Sequence, residues 1–396
     1  MHRLSRSPTD PGFVQNPYPF YDEARAAGDL FFWEEYGMPM AVSHRAVSAI
    51  LKDRRLGREP ITPPEVPPHL VPFYRIEDNS MLELEPPRHT RLRALVLRAF
   101  TSRRIARLAP EIEELATTLA KAIHQESADL LPAFAEKLPV IVIARLLGVP
   151  EAMADQLLAW SHAMVGMYQA RRTHEMELAA AGAAQAFSDF LRGYIDERRA
   201  RPADDLITHM IAAEEDGERL STDELITTCI LLLNAGHEAT VHTIGNGVKA
   251  ILENDAQSAT RPSAIDATVE EVLRYDPPLH LFTRHVYEDI ELFGHSFRRG
   301  DQLGCLLGAA GRDPALAPDP SRFDPTRKPV PHLAFGAGLH FCVGAPLARL
   351  ELQIGLRTLF ERCPGLALAE PPEYADLYHF HGLSRLIVTR GPVLSA

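Results

Sequence analysis

Three observations predict that this 396-residue sequence folds as a mainly α protein with a small β portion. Helical periodicity recurs along most of the chain, strand signals are few and short, and no Gly/Ser linker, charge block or internal repeat divides it. Apolar residues spaced three and four apart mark helices at 18–27, 44–52, 87–100, 110–124, 137–147, 178–200, 222–252, 264–275 and 346–362. The stretch FFWEEYGMPMAVS reads as a hairpin turning near Gly37. VYEDIELFGHSFRRGDQLGCLL reads as two strands joined at Gly294 and His295, with Ile290 and Leu292 alternating against polar neighbours. The proline-rich segment 61–72 reads as a long surface loop between helical patterns. Residues 1–396 are therefore expected to form a single large domain.

Composition excludes several classes of function. A net charge of −12 argues against nucleic acid as a partner, because phosphate binding needs clustered Lys and Arg. No uncharged apolar run is long enough to span a membrane, and the N-terminal segment carries Arg3, Arg6 and Asp10 without an apolar core. Cys229, Cys305, Cys342 and Cys363 are scattered without CxxC pairing, as expected of reduced thiols. These features predict a soluble cytoplasmic protein with no membrane partner.

The most informative stretch is FGAGLHFCVG, residues 335–344. It places Cys342 in a glycine-rich loop that runs into the helical pattern GAPLARLELQIGLRTLFER. Gly336, Gly338 and Gly344 are expected to open backbone angles closed to other residues and to let the chain pass close to a flat bound group. A cysteine beside a helix start meets unpaired N–H groups and the positive dipole end, which stabilise the thiolate that binds metal.

At these fixed positions the chain resembles the cytochrome P-450 family, whose signature is FGxGxHxCxG. The likeness runs from NPYPFYDEARAAG near the start to HFHGLSRLIV near the end. The resemblance implies the cytochrome P-450 fold and a heme b (iron protoporphyrin IX) held through the Cys342 thiolate, with Phe335, Gly336, His340 and Gly344 around it. It also implies a soluble bacterial monooxygenase that uses O2.

The segment 224–252 is apolar nearly all round, which marks a helix crossing the interior, yet Asn234, Gly236, His237 and Glu238 interrupt it. HEATVH fails as a zinc-protease motif, because its histidines are five apart and diverge by about 140° around a helix. Relatives carry AGxET or AGxDT here, so Ala235 and Gly236 are expected to make room over the heme and Glu238 to relay protons. The usual threonine is missing: position 239 is Ala, and Thr240 is rotated by about 100° from it. A substrate hydroxyl or ordered water near Glu238 is expected to complete the path at Ala239; the bland alternative is that this alanine only tunes pocket volume.

Glu271 and Arg274, one turn apart in EEVLRYDPP, read alone as a surface ion pair. The resemblance instead implies a structural network beneath the cysteine loop, joined by Arg322 of PDPSRFDPTR. It assigns His89, Arg93, Arg284 and His340 to the heme propionates. It draws a mostly apolar substrate pocket from Phe73, Ile76, Met81, Met164, Met167, Leu232, Ala235, His280, Leu281 and Phe380. The occupant would be a small or medium organic molecule. With no fused redox module, electrons are expected from a ferredoxin and its reductase, docking near Arg91, Arg98, Arg103, Arg104, Arg107 and Arg349 on a monomer. A peroxide-driven or non-oxygenating enzyme on the same scaffold, and a non-catalytic heme sensor, are the alternatives.

Overall fold

Alternating aromatic and apolar residues on either side of Gly37 produce the expected hairpin: Leu30–Trp33 pairs antiparallel with Met38–Ala41, and Gly37 takes a φ of 63°. The computed structural model describes residues 1–123, 127–169, 172–213 and 217–390, and its chain divides into two compact units.

The first unit comprises Met1–Gly57, Pro110–Leu138 and Ala239–Ala396. Its six-stranded mixed sheet runs in the order His2–Leu4, Leu30–Trp33, Met38–Ala41, Gln302–Leu306, Leu281–Val286, Leu56–Gly57. Against it Phe13, Phe20, Tyr21, Phe31, Trp33 and Tyr378 form one aromatic core, with Phe13 edge-on to Trp33 at 5.6 Å. A second core joins Ala46, Val47, Ile50 and Leu51 to Leu303, Cys305 and Ala337. That core matters for the site, because Ala337 belongs to the cysteine loop.

The predicted hairpin near 294 turns one residue earlier than expected. Phe293 and Gly294 both have positive φ, 51° and 75°, while His295 pairs with Leu292 in the ladder. A two-residue turn of this hand needs both central residues there, and the ladder claims the histidine. Among the described residues there are thirteen strands of two to six residues, many more than the sequence pattern signals. Two or three residues carry too little alternation to be read.

The second unit, Arg58–Ala109 with Pro139–Glu238, is built of helices. Arg88–Ala99, His174–Ala200 and the first half of Thr222–Glu253 were legible from periodicity. Thr173 caps His174–Ala200 by accepting from Met176 N–H, so that helix begins four residues before the expected 178. Val71–Glu77, Ser102–Arg107, Ala154–Val165 and Leu206–Ala212 escaped the sequence reading. The loop expected at 61–72 ends sooner, because Pro72 sits in the first turn of Val71–Glu77, where a missing N–H costs nothing. In the first unit the helix expected at 110–124 is Ala109–Ala122, and His124 lies outside the described residues.

Trp33 is fully buried and touches Phe13, Phe20, Phe31, Tyr36 and Tyr378. Trp33→Ala is expected to cost about 3–5 kcal/mol of unfolding free energy, read as a lowered midpoint in urea.

Candidate active site

The cysteine loop is shaped by two left-handed glycines and a neighbouring helix. Gly336 and Gly338 hold φ of 69° and 71°. A Cβ on Gly338 would stand 2.4 Å from the Leu51 carbonyl oxygen, so the loop lies directly on the helix His44–Lys52. Cys342 N–H donates to Phe335 O at 3.0 Å, closing the turn. Gly344 departs from expectation: its φ is −77°, open to any residue. A Cβ there would meet Cys342 Sγ at 3.7 Å, an ordinary contact, so neither backbone angle nor crowding demands glycine at this position. Cys342 is exposed, whereas Cys229, Cys305 and Cys363 are buried.

Behind the loop, Arg274 is 1% exposed, and five acceptors take its guanidinium's hydrogen bonds. Nε and Nη2 bond Glu271 Oε2 and Oε1 at 2.7 and 2.8 Å; Nη1 reaches the carbonyls of Gly311 and Pro320, and Nη2 that of Arg322. The assignment of Arg322 is corrected here. Its guanidinium is not the third member of the network; it supplies only a backbone oxygen, and Arg327 Nε approaches Glu271 Oε1 at 3.5 Å. PDPSRFDPTR holds both arginines, and only the turn Asp324–Arg327 decides which one faces inward.

Adjacent Glu270 ties the same helix, Ile265–Tyr275, to the cysteine helix Ala345–Arg362. Arg349 donates to it twice, at 2.6 and 3.0 Å, and His332 Nε2 lies 3.0 Å away. Burial opposes ionisation of Glu270, but the hydrogen bonds from His332 and Arg349 outweigh it and hold the carboxyl down at about 2. Arg349 also lies 4.6 Å over the Phe335 ring. Thus it braces the loop instead of standing as a free surface charge.

The polar interruptions of Thr222–Glu253 are only partly paired, since among the described residues Asn234 Oδ1 and His237 Nε2 are buried without a hydrogen-bond partner. Glu238, 4% exposed, has Oε1 3.3 Å from Ser161 Oγ and 3.4 Å from both His162 Nε2 and His237 Nε2. His237 Nδ1 lies 2.6 Å from the Leu233 carbonyl, while His242 packs at the Gly382 backbone and Phe380 ring. The two histidines therefore share no metal. Ala235 is exposed and Gly236 and Ala239 half-buried, while Leu233, His237, Glu238, Thr240 and Val241 are buried. An accessible face of small residues on an otherwise buried helix suits a flat ligand.

The remaining predicted residues divide. In the helical unit, Phe73, Ile76, Met81, Met164, Met167 and Leu232 are all buried, and Asn234 Nδ2 lies 3.6 Å from Met164 Sδ. His89, fully buried, and half-buried Arg93 share one face of Arg88–Ala99. In the other unit Arg284 is buried on its strand with Nη1 donating to Thr283 O at 2.8 Å, and His340 and Phe380 are half-buried. His280 and Leu281 are corrected. His280 is fully buried with Nδ1 2.8 Å from Tyr21 Oη, and Leu281 belongs to the aromatic core, so both are packing residues. Gly308 leaves room for the buried ring, since a Cβ there would lie 2.8 Å from it.

These features define a cysteine-centred cofactor site, and comparison with known proteins specifies it. The family model for cytochrome P450 matches residues 263–368. Cytochrome P450 monooxygenase PikC of Streptomyces venezuelae is 38% identical over 378 residues, 91% of this chain and 87% of its own. The biotin biosynthesis cytochrome P450 of Bacillus subtilis (strain 168) is 35% identical over 394 residues, 98% of this chain and 99% of its own. Among solved structures, P450BioI in complex with hexadec-9Z-enoic acid ligated acyl carrier protein superposes with a TM-score of 0.91 at 34% identity, covering 96% of this chain and 99% of that one. The chain belongs to the cytochrome P450 family; it is an oxidoreductase of the monooxygenase kind, and its cofactor is heme b. The exposed sulfur on a loop shaped by left-handed glycines fits that group.

Arg327→Ala should lower the thermal midpoint and weaken heme retention, whereas Arg322→Ala, which keeps the carbonyl, should leave both nearly unchanged; equal effects would contradict the correction above. Because Glu270 is depressed in the folded state, its contribution is present above its unfolded pKa and lost as pH falls from about 4.5 toward 2. Acid unfolding of Glu270→Gln should accordingly show a shallower pH slope in that window.

Proposed function

We propose that Cys342 ligates the heme iron and that the protein inserts one oxygen atom of O2 into a small or medium apolar organic molecule, with electrons from a ferredoxin and its reductase. The observation that carries this reading is the exposed Cys342 on a loop held by left-handed glycines against a buried arginine network. When bound, the heme supplies oxygen activation, with thiolate donation favouring O–O cleavage.

The protein's own residues would do the rest. Glu238 holds a proton at Oε1, where Ser161, His162 and His237 surround it. The His162 side chain is 51% exposed, which supports it as the solvent end of that group. Ala239 offers no hydroxyl, so a substrate hydroxyl or a water held near Glu238 would complete proton delivery. Buried Phe73, Ile76, Met81, Met164, Met167 and Leu232 favour an apolar occupant and exclude water. His89, Arg93, Arg284 and His340 are the proposed propionate donors.

Arg98, Arg103 and Arg107 are exposed and support docking of an acidic ferredoxin, whereas Arg91 is already ion-paired to Glu224. Among the described residues no helix is long and apolar enough to cross a membrane. We read residues 1–396 as one working domain, monomeric and cytoplasmic, with no nucleic-acid partner.

Optical titration of the ferric holoprotein with aromatic acids, terpenoids, steroids, fatty acids, macrolide-like compounds and an acyl carrier protein loaded with a fatty acid should show a low-to-high spin shift for one class. With that substrate, Ala239→Thr should alter the ratio of product to NAD(P)H consumed; an unchanged ratio would remove the case for a substrate or water relay. Turnover with peroxide but not with ferredoxin would favour the peroxide-driven alternative, and no turnover with either would favour a sensor.

A further inference from the structure

Away from the heme machinery, two histidines and a glutamate of the helical unit meet at one carboxylate oxygen. Glu177 Oε2 lies 2.7 Å from His69 Nε2 and 3.7 Å from His174 Nδ1, and the two imidazole rings are 4.7 Å apart in an edge-on arrangement. The three prospective ligand atoms all fall within 4.8 Å of one another. Local folding explains the convergence. The Thr173 cap starts His174–Ala200, which puts His174 and Glu177 one turn apart on the same face. The 3₁₀ turn Pro68–Leu70, entered through Pro67, presents His69 opposite them.

Arg172 Nε donates to the other oxygen, Glu177 Oε1, at 2.9 Å, which leaves Oε2 turned to the histidines. Two imidazoles and one carboxylate form a donor set suited to Zn2+, with the fourth position left to water. Bonds of about 2.0–2.1 Å in a tetrahedron set ligand atoms roughly 3.3 Å apart, between the two spacings seen here, so small rotamer shifts would admit the ion.

Among the described residues, two other clusters of the same composition are set aside for different reasons. Asp276, His280 and His381 are fully enclosed; Tyr18 and Tyr374 donate to the two Asp276 oxygens, and the Arg312 guanidinium sits over the Tyr18 ring beside them. His162, His237 and Glu238 belong to the site already described.

We propose that His69, His174 and Glu177 form a Zn2+ site that ties the turn Pro68–Leu70 to the start of the helix His174–Ala200. The turn continues directly into Val71–Glu77, which carries Phe73 and Ile76, so the bound ion would restrain that helix as well.

Isothermal titration of the heme-loaded full chain with ZnCl2 tests this. One equivalent should bind in the micromolar range, and His174→Ala and His69→Ala should each weaken binding by about tenfold or more. MgCl2 should give no heat at this site, because Mg2+ prefers oxygen ligands. In parallel, ZnCl2 should slow amide hydrogen exchange across residues 61–77 of the wild type and not of His174→Ala. Absence of Zn2+ uptake, or identical isotherms for wild type and variants, would overturn the site. Binding with unchanged exchange over 61–77 would overturn the tie.

Discussion

Arg274 is a full cation held at 1% exposure, and much of the first unit is organised around that fact. Removing such a charge from water costs several kcal/mol and is tolerated only when an opposite charge and full hydrogen bonding compensate. Glu271 supplies the charge; the carbonyls of Gly311, Pro320 and Arg322 supply the rest. Asp324 N–H then donates to the same carboxylate at 2.8 Å, so an otherwise irregular stretch of backbone is fixed by one ion pair. Gly311 shows how tight this is, because a Cβ there would lie 2.3 Å from the Arg274 carbonyl oxygen.

The neighbouring position extends the constraint toward chemistry. Glu270 and Glu271 are consecutive on one helix and so point in different directions. Glu271 secures the coil, while Glu270 takes hold of Arg349 on the cysteine helix and of His332 just before the cysteine loop. Arg349 in turn covers Phe335, the first residue of that loop. The loop is thereby braced from the helix side by charge and from the Leu51 side by backbone contact at Gly338. A thiolate ligand needs this kind of support, since orientation must be supplied by surrounding structure.

The candidate site stands out in the sequence because several of its residues are anomalies. A glycine-flanked cysteine and polar groups inside an apolar helix each break a local rule, and local rules are what a sequence displays. Where the sequence reading erred, the deciding term was long-range. His280 looked available for a ligand, yet Tyr21, sequentially remote from it, claims its Nδ1. Burial then pushes His280 well down and His381 down to about 4, so both imidazoles are held neutral in the aromatic core. Arg322 was assigned to the network, yet a turn places the Arg327 side chain, not that of Arg322, toward Glu271. The helices Val71–Glu77 and Leu206–Ala212 are only two turns long, too short for periodicity to separate them from loops.

The fold class, the long helices, the cysteine ligand candidate and the family likeness were legible in the chain alone, because these rest on residue type, period and spacing. It took the folded chain to show which arginine completes the buried network, that Glu270 clamps the cysteine helix, that Glu238 is ringed by Ser161, His162 and His237, and that His69 reaches Glu177. Apart from the contact of Glu238 with its neighbour His237, each of these is a pairing between residues distant in sequence. Whether such a pairing forms depends on charge, burial and hydrogen-bond geometry that exist only once the chain has closed on itself.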